Sequence, residues 1–141
     1  MAQRVLVVDD NEVVRWTLQA RLGVAGLEVT AVASAAEALD ALDDHRFDLV
    51  LLDHDMPEMT GLEALAVIEQ RRLCPRTPVV LLTSSEEFEH VRAARSGGAQ
   101  GYLTKAEAFR NLMPALARLL GGGKSDVTWI DDFHTVSVAA R

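Results

Sequence analysis

The chain of 141 residues carries 14 basic and 21 acidic side chains, a formal net charge of -7, and 49% hydrophobic residues. That length suits one domain able to bury roughly two thirds of its unfolded surface and leaves no room for a second of ordinary size. The acidity argues against direct binding to nucleic acid or to an anionic membrane, because no stretch concentrates the basic residues. The single cysteine, Cys74, excludes an internal disulfide and a cysteine metal cluster, and it reads as a buried thiol. No apolar run approaches the ~20 residues of a membrane span, and Val5 to Val8 is too short for a signal-peptide core, so the expected location is cytoplasmic.

In chain order, Val5 to Val8 is a β-branched run ending in Asp9 and Asp10. Asn11 then stands where it can cap a helix with Val13, Val14, Leu18 and Leu22 on one face and Trp16 packed beside them. Leu27 to Ala33 reads as a second strand, and Ser34-Ala35-Ala36-Glu37 has capping-box spacing ahead of Ala38, Leu39 and Leu42. The stretch Phe47 to Pro57 runs its apolar residues straight into Asp53, which is the pattern of a strand buried on both faces. Thr60-Gly61-Leu62-Glu63 is a second capping box, and Leu62, Leu65 and Ile68 follow at helical spacing. Val79 to Leu82 is a fourth apolar strand, and its continuation Thr83-Ser84-Ser85 can cap a helix over Glu86 to Arg95 that Gly97 and Gly98 end.

Gly101 to Lys105 reads as a short fifth strand. Pro114 is tolerated only in the first turn of a helix, which places the last helix from near Leu112, with Asn111 as its cap and residues 106–110 as turn or frayed helix. Five strands alternating with five helices give an α/β fold, a doubly wound parallel sheet covered on both faces. His45, His54, His90 and His134 lack paired spacing for a metal and read as surface residues.

Strands in such a sheet present their carboxyl ends to a common crevice, and here those ends are Asp9 and Asp10, Asp53, Thr83 and Lys105. Carboxylates pushed together repel, so the cluster needs a cation, and an all-oxygen donor set suits Mg²⁺. A hydroxyl, an ammonium and a divalent cation around one carboxylate are what a phosphoryl group transferred to Asp53 would require.

Leu6-Val7-Val8-Asp9-Asp10-Asn11, Asp53-His54-Asp55-Met56-Pro57-Glu58-Met59-Thr60-Gly61-Leu62, Leu81-Leu82-Thr83-Ser84 and Gly98-Ala99-Gln100-Gly101-Tyr102-Leu103-Thr104-Lys105 together resemble the receiver domain of bacterial two-component response regulators, in order and spacing, over about residues 3–120. The resemblance implies a flavodoxin-like three-layer sandwich with strand order 2-1-3-4-5. It implies a phosphoryl group taken onto Asp53 from a sensor histidine kinase or phosphotransfer protein. It implies Mg²⁺ held by Asp10, Asp53 and the backbone carbonyl of Asp55, with Asp9 acting through water. Thr83 and Lys105 would grip the phosphoryl oxygens, and Tyr102 would turn inward as Thr83 moves, switching a readout face made of the fourth helix, fifth strand and last helix. Chemistry would be confined to the domain's own phosphoryl transfer and autodephosphorylation. Ala106 stands where many receivers place Pro, as in a subclass that often carries helix-turn-helix outputs, and an acid at Asp55 should influence how long the phosphoryl group persists.

The receiver is assigned to residues 1–120. Residues 121–141 form an extension whose Val127, Trp129, Ile130, Phe133, Val136 and Val138 are too apolar for a free linker, so it is expected to dock on its own domain or on a neighbouring chain, with a homodimer one outcome. Two rival readings stand beside the receiver. Asp53-His54-Asp55 has the spacing of a haloacid-dehalogenase-like phosphatase, although that nucleophile normally closes the first strand. The other rival is a receiver-like binding module that takes no phosphoryl group, which intact Asp53, Thr83 and Lys105 argue against.

Overall fold

A computed structural model describes residues 2–84, 88–122, 127–131 and 135–137. Strands β1 (Arg4–Val8), β2 (Glu28–Val32), β3 (Leu49–Asp53), β4 (Val79–Thr83) and β5 (Gly101–Thr104) alternate with helices α1 (Glu12–Val24), α2 (Ala35–Asp44), α3 (Gly61–Arg71), α4 (Phe88–Ser96) and α5 (Lys105–Gly122). The five strands pair in parallel in the order β2-β1-β3-β4-β5, as the sequence implied. Two further strands follow. β6 (Val127–Asp131) lies parallel to β5, and β7 (Thr135–Ser137) pairs antiparallel with β6, so the described sheet has seven strands in all.

The two-residue period of the strands sorts the core into two layers. Leu6, Val8, Val50, Leu52, Val79 and Leu81 point to one face and pack with residues of α2, α3 and α4. Val5, Val7, Leu49, Leu51, Val80 and Leu82 point to the other and pack with α1 and α5. β3 and β4, at the centre, are buried along their whole length, whereas β2 at the edge is half-exposed. Such double burial is why their sequences are continuous apolar runs without alternation.

Three of the expected caps form where the sequence placed them. The Asn11 side chain accepts from the N–H groups of Val13 and Val14 at 2.9 and 3.1 Å, and Thr60 and Glu63 close a reciprocal capping box. Ser34 accepts from Glu37 N–H at 3.2 Å. Gly98 takes a φ of +103° just beyond α4, a conformation that costs a Cβ-bearing residue strain. Cys74 is buried and in no disulfide.

Three expectations need correction. α5 begins at Lys105, and residues 106–110, expected as turn or frayed helix, form helix, because the Thr104 hydroxyl accepts from Glu107 N–H at 3.2 Å and caps it; Asn111, with φ -145° and ψ 42°, is non-helical, so a second helical stretch starts near Leu112, as Pro114 implies. Val13 and Trp16 lie off the buried stripe of Val14, Leu18 and Leu22, and are 67% and 66% exposed. His54 is buried, since it continues β3 inward and its N–H donates to Leu82 O at 2.7 Å. The start of the fourth helix at Glu86 and the position of His134 lie outside the described residues. Among the described residues no peptide bond is cis, and no helix is long and apolar enough to cross a membrane.

Candidate functional site

The crevice forms where β1, β3 and β4 end and α5 begins. Asp9 and Asp53 are fully buried, each at the end of an apolar strand, and Asp10 next to Asp9 is exposed. One carboxylate oxygen from each of Asp9, Asp10 and Asp53 lies within 4.8 Å of the others, an arrangement able to hold a metal ion. Asp9 is fixed by Asn11 N–H, which donates to its Oδ1 at 2.8 Å, and by Arg15, whose Nη1 donates to its backbone carbonyl at 2.8 Å. Lys105, in the first turn of α5, reaches in with its Nζ 3.0 Å from Asp9 Oδ2 and 3.2 Å from Asp53 Oδ1.

Asp53 therefore has two unlike oxygens. Oδ1 accepts the Asp55 N–H at 3.0 Å and faces Lys105, whereas Oδ2 is buried and has no hydrogen-bond donor among the described residues. Burial raises the Asp53 carboxyl to about 7; the charge of Asp9 pushes the same way, and the Asp55 N–H and Lys105 oppose. Lys105 responds in kind. Burial would lower its ammonium, but the hydrogen bond to Asp9 and the charges of Asp53 and Asp9 outweigh it and hold the group above its ordinary value. A divalent cation held among the Asp9, Asp10 and Asp53 carboxylates would relieve both effects, so the donor set fits Mg²⁺.

Gly61 makes the site possible from behind. A Cβ on this first residue of α3 would stand 2.6 Å from Asp53 O and 2.8 Å from His54 Cα, closer than any real contact, so only glycine lets α3 start against the end of β3.

Thr83 ends β4, fully buried, and its Oγ1 donates to Asp55 Oδ2 at 3.4 Å. Ser84 donates to the same Asp55 oxygen twice, from its N–H at 3.1 Å and from its Oγ at 3.0 Å. Burial alone would raise the Asp55 carboxyl, but these Ser84 bonds, with His54 and Lys105 nearby, hold it below the ordinary carboxylate range. Tyr102 on β5 is 3% exposed, two register positions before the Thr83↔Thr104 pair, with its ring in the layer that holds Leu81, Met56 and Ala94. The structure thus gathers Asp9, Asp10, Asp53 and Lys105 at one point, places Thr83 beside them through Asp55, and buries Tyr102 on the adjacent strand.

Three features of the site were not visible in the sequence pattern. Arg15 has helical spacing from Asn11 as its only signal. Ser84 has the look of a helix cap. His54 and His90 pack with ring centroids 4.5 Å apart, linking the end of β3 to α4, and nothing in their spacing foretells it. A cleft of about 840 Å³ between Gln3, Arg46, Cys74 and Leu119 opens at the opposite edge of the sheet and contains none of the strand-end carboxylates.

A parallel sheet ordered 2-1-3-4-5 with helices on both faces and acids at its carboxyl edge defines a flavodoxin-like fold of the chemotaxis-regulator type. Residues 5–117 match the response regulator receiver domain, and the chain belongs to that family. It is 37% identical over 120 residues to the sensory/regulatory protein RpfC of Xanthomonas campestris pv. campestris, an alignment that covers 84% of this chain and only 16% of that protein. The chemotaxis protein CheY4 of Vibrio cholerae matches with a TM-score of 0.78 and 32% identity, covering 84% of this chain and 98% of that one. A response regulator from Burkholderia pseudomallei, crystallised with a phosphorylated aspartic acid, a calcium ion and citrate, matches with a TM-score of 0.75 and 27% identity, over 84% of this chain and 69% of that one. Receiver domains are signalling domains of two-component systems; they work with histidine kinases or phosphotransfer proteins and bind Mg²⁺ in an acidic pocket.

Proposed function

We propose that this chain takes a phosphoryl group from a phosphohistidine onto Asp53 and uses it to switch protein contacts. The observation that carries the reading is the asymmetry of Asp53: Oδ1 is held by the Asp55 N–H and Lys105, and Oδ2 is a buried oxygen with no donor among the described residues. An Oδ2 lone pair forms the new O–P bond as the N–P bond of the donor breaks, and the imidazole leaves with that electron pair. Lys105 and Thr83 stand where they can hold phosphoryl oxygens. Asp10, Asp53 and the Asp55 carbonyl, with Asp9 through water, would hold Mg²⁺, which when bound offsets the charge gathered in the crevice.

Val13 and Trp16 on α1 give the donor protein an apolar footing one turn from the Asp9–Asn11 loop, since an exposed Trp is a common anchor of protein interfaces. The readout runs through α4, β5 and α5 to a downstream protein or a second copy. The receiver proper is residues 1–120 and the rest an extension; the pairs Gly101↔Ile130 and Tyr102↔Asp131 support its docking on the β5 edge of its own domain. Phosphatase action is the weaker reading, because Asp55 is bonded to Thr83 and Ser84 and held ionised, which disfavours it as a proton donor. A module that takes no phosphoryl group would have no use for the buried, donor-free Oδ2. Labelled phosphoryl should pass from a histidine-phosphorylated donor to the wild-type protein and not to Asp53→Asn. Label on the variant, or repeated turnover of phosphoesters, refutes the proposal.

A further inference from the structure

The Asp55 side chain collects three donors on one oxygen: the Thr83 hydroxyl, the Ser84 N–H and the Ser84 hydroxyl. All three come from the segment at the end of β4, and Asp55 itself hangs from the loop whose N–H is bonded to Asp53 Oδ1. An anion on Asp53 and the carboxylate of Asp55 therefore compete for one set of donors. Tyr102, on the next strand, is at the same time buried beneath α4 with Leu81 and Ala94.

We propose that Asp55 is an anionic placeholder, a positioning residue that holds Thr83 and Ser84 as a phosphoryl group would and keeps Tyr102 inward before any phosphoryl group arrives. The proposal rests on the receiver reading and adds to it a high basal population of the switched conformation. Arrival of a phosphoryl group, with its charge of about -1.5 to -2, then expels a like charge from the donors instead of recruiting the donors from elsewhere. Phosphorylation changes the conformation of this chain less than it would with a neutral residue at position 55. A ligand shifts a two-state equilibrium only by its differential affinity for the two states, and here Asp55 has already supplied part of that difference. The hydrogen bonds at 3.0 and 3.1 Å from Ser84 carry most of the hold, and the one at 3.4 Å from Thr83 is the weakest.

The chain has a single tyrosine, so ring-¹³C-labelled tyrosine in the full chain gives one ring environment to follow. Spectra are recorded for wild type, Asp55→Asn, Asp55→Ala and Ser84→Ala, each with and without Mg²⁺ and beryllofluoride. The wild-type Tyr102 signal should move little on adding beryllofluoride. Asp55→Ala removes the acceptor of all three hydrogen bonds, and the buried population should fall about tenfold or more, the equivalent of one charge-assisted hydrogen bond. Beryllofluoride should return the signal to the wild-type position. Asp55→Asn should lie between these two, and Ser84→Ala, which removes one donor only, should shift the signal in the same direction by less. An unmoved signal in both Asp55 variants, or a wild-type signal that moves with beryllofluoride as far as theirs, overturns the proposal while leaving the receiver reading intact. Failure of the receiver reading has its own signature, no phosphoryl adduct on Asp53 by intact mass, and it overturns both.

Discussion

Burying Asp53 ionised between Asp9 and the protein interior is expensive, so replacing Asp53 with Asn should stabilise the metal-free protein and do so in a pH-dependent way. The folded carboxyl titrates at about 7 and the ordinary value is 3.8. At about 1.36 kcal/mol per unit, the cost of charging it in the folded state is on the order of 4 kcal/mol once the pH exceeds the folded value. The pull of Lys105 on Asp53 is already contained in that raised value, so Asn, with no charge to bury, should gain up to about 4 kcal/mol, or roughly 10 °C in the unfolding midpoint of a chain this size. A raised folded value means that the native state holds the proton longer than the unfolded chain does. The stability Asp53 confers is therefore fully present below about pH 4 and is lost as the pH climbs through about 7. The advantage of Asp53→Asn should be smallest at about pH 4 and greatest at about pH 8, measured by thermal unfolding in EDTA at both values. Adding Mg²⁺ at the higher pH should raise the wild-type midpoint and leave the variant unmoved, since the ion binds the native carboxylates. A variant less stable than wild type at the higher pH, or an advantage equal at both pH values, would refute the idea that Asp53 is a strained, buried anion.

Gly61→Ala places a methyl 2.6 Å from Asp53 O and should destabilise the fold by about 2 kcal/mol or more and lower phosphoryl labelling, read by denaturant unfolding and intact mass; normal behaviour in both would show that the α3–β3 contact is loose. Trp16→Ala, at an exposed position, should leave stability within about 0.5 kcal/mol and labelling by a small phosphodonor unchanged, while slowing transfer from a phosphohistidine protein several-fold. Equal loss with both donors would mean that Trp16 supports the fold and not the encounter. Removing residues 123–141 strips β5 of its pairing at Gly101 and Tyr102, so the truncated chain should unfold at a lower temperature or self-associate through the bared edge. A thermal scan and sedimentation check both, and no change in either would show that the hairpin contributes nothing to the domain.

Much of the site was legible because it is written at strand ends. Leu49-Val50-Leu51-Leu52-Asp53 is readable as a doubly buried strand with a carboxylate at its exit, and the same pattern recurs at Val8-Asp9 and Leu82-Thr83. Spacing along one strand determines which residues reach the crevice, so Asp9, Asp10, Asp53 and Lys105 could be placed together without coordinates. Not all that escaped was decided by packing between elements. Val13 and Trp16 are three apart from each other, but Trp16 is two residues from both Val14 and Leu18, so the helical period itself sets it off the buried stripe. Pro114 located the helical stretch that starts after Asn111, but the helix over residues 105–110 ahead of it escaped, although Thr104 and Glu107 have the spacing of a cap and its partner. The hydrogen bonds of Asp55 with Ser84 join two loops 29 residues apart, a closure that no local pattern reports.

Phosphoryl acceptance at Asp53 is tested most directly by incubating the whole chain with Mg²⁺ and acetyl phosphate, following intact mass and free phosphate together, and locating any adduct by peptide mapping. The expected result is a single phosphoryl adduct on the peptide containing Asp53, absent in EDTA and absent in Asp53→Asn. An adduct that persists in Asp53→Asn, or free phosphate released in many turnovers without an adduct, would contradict it.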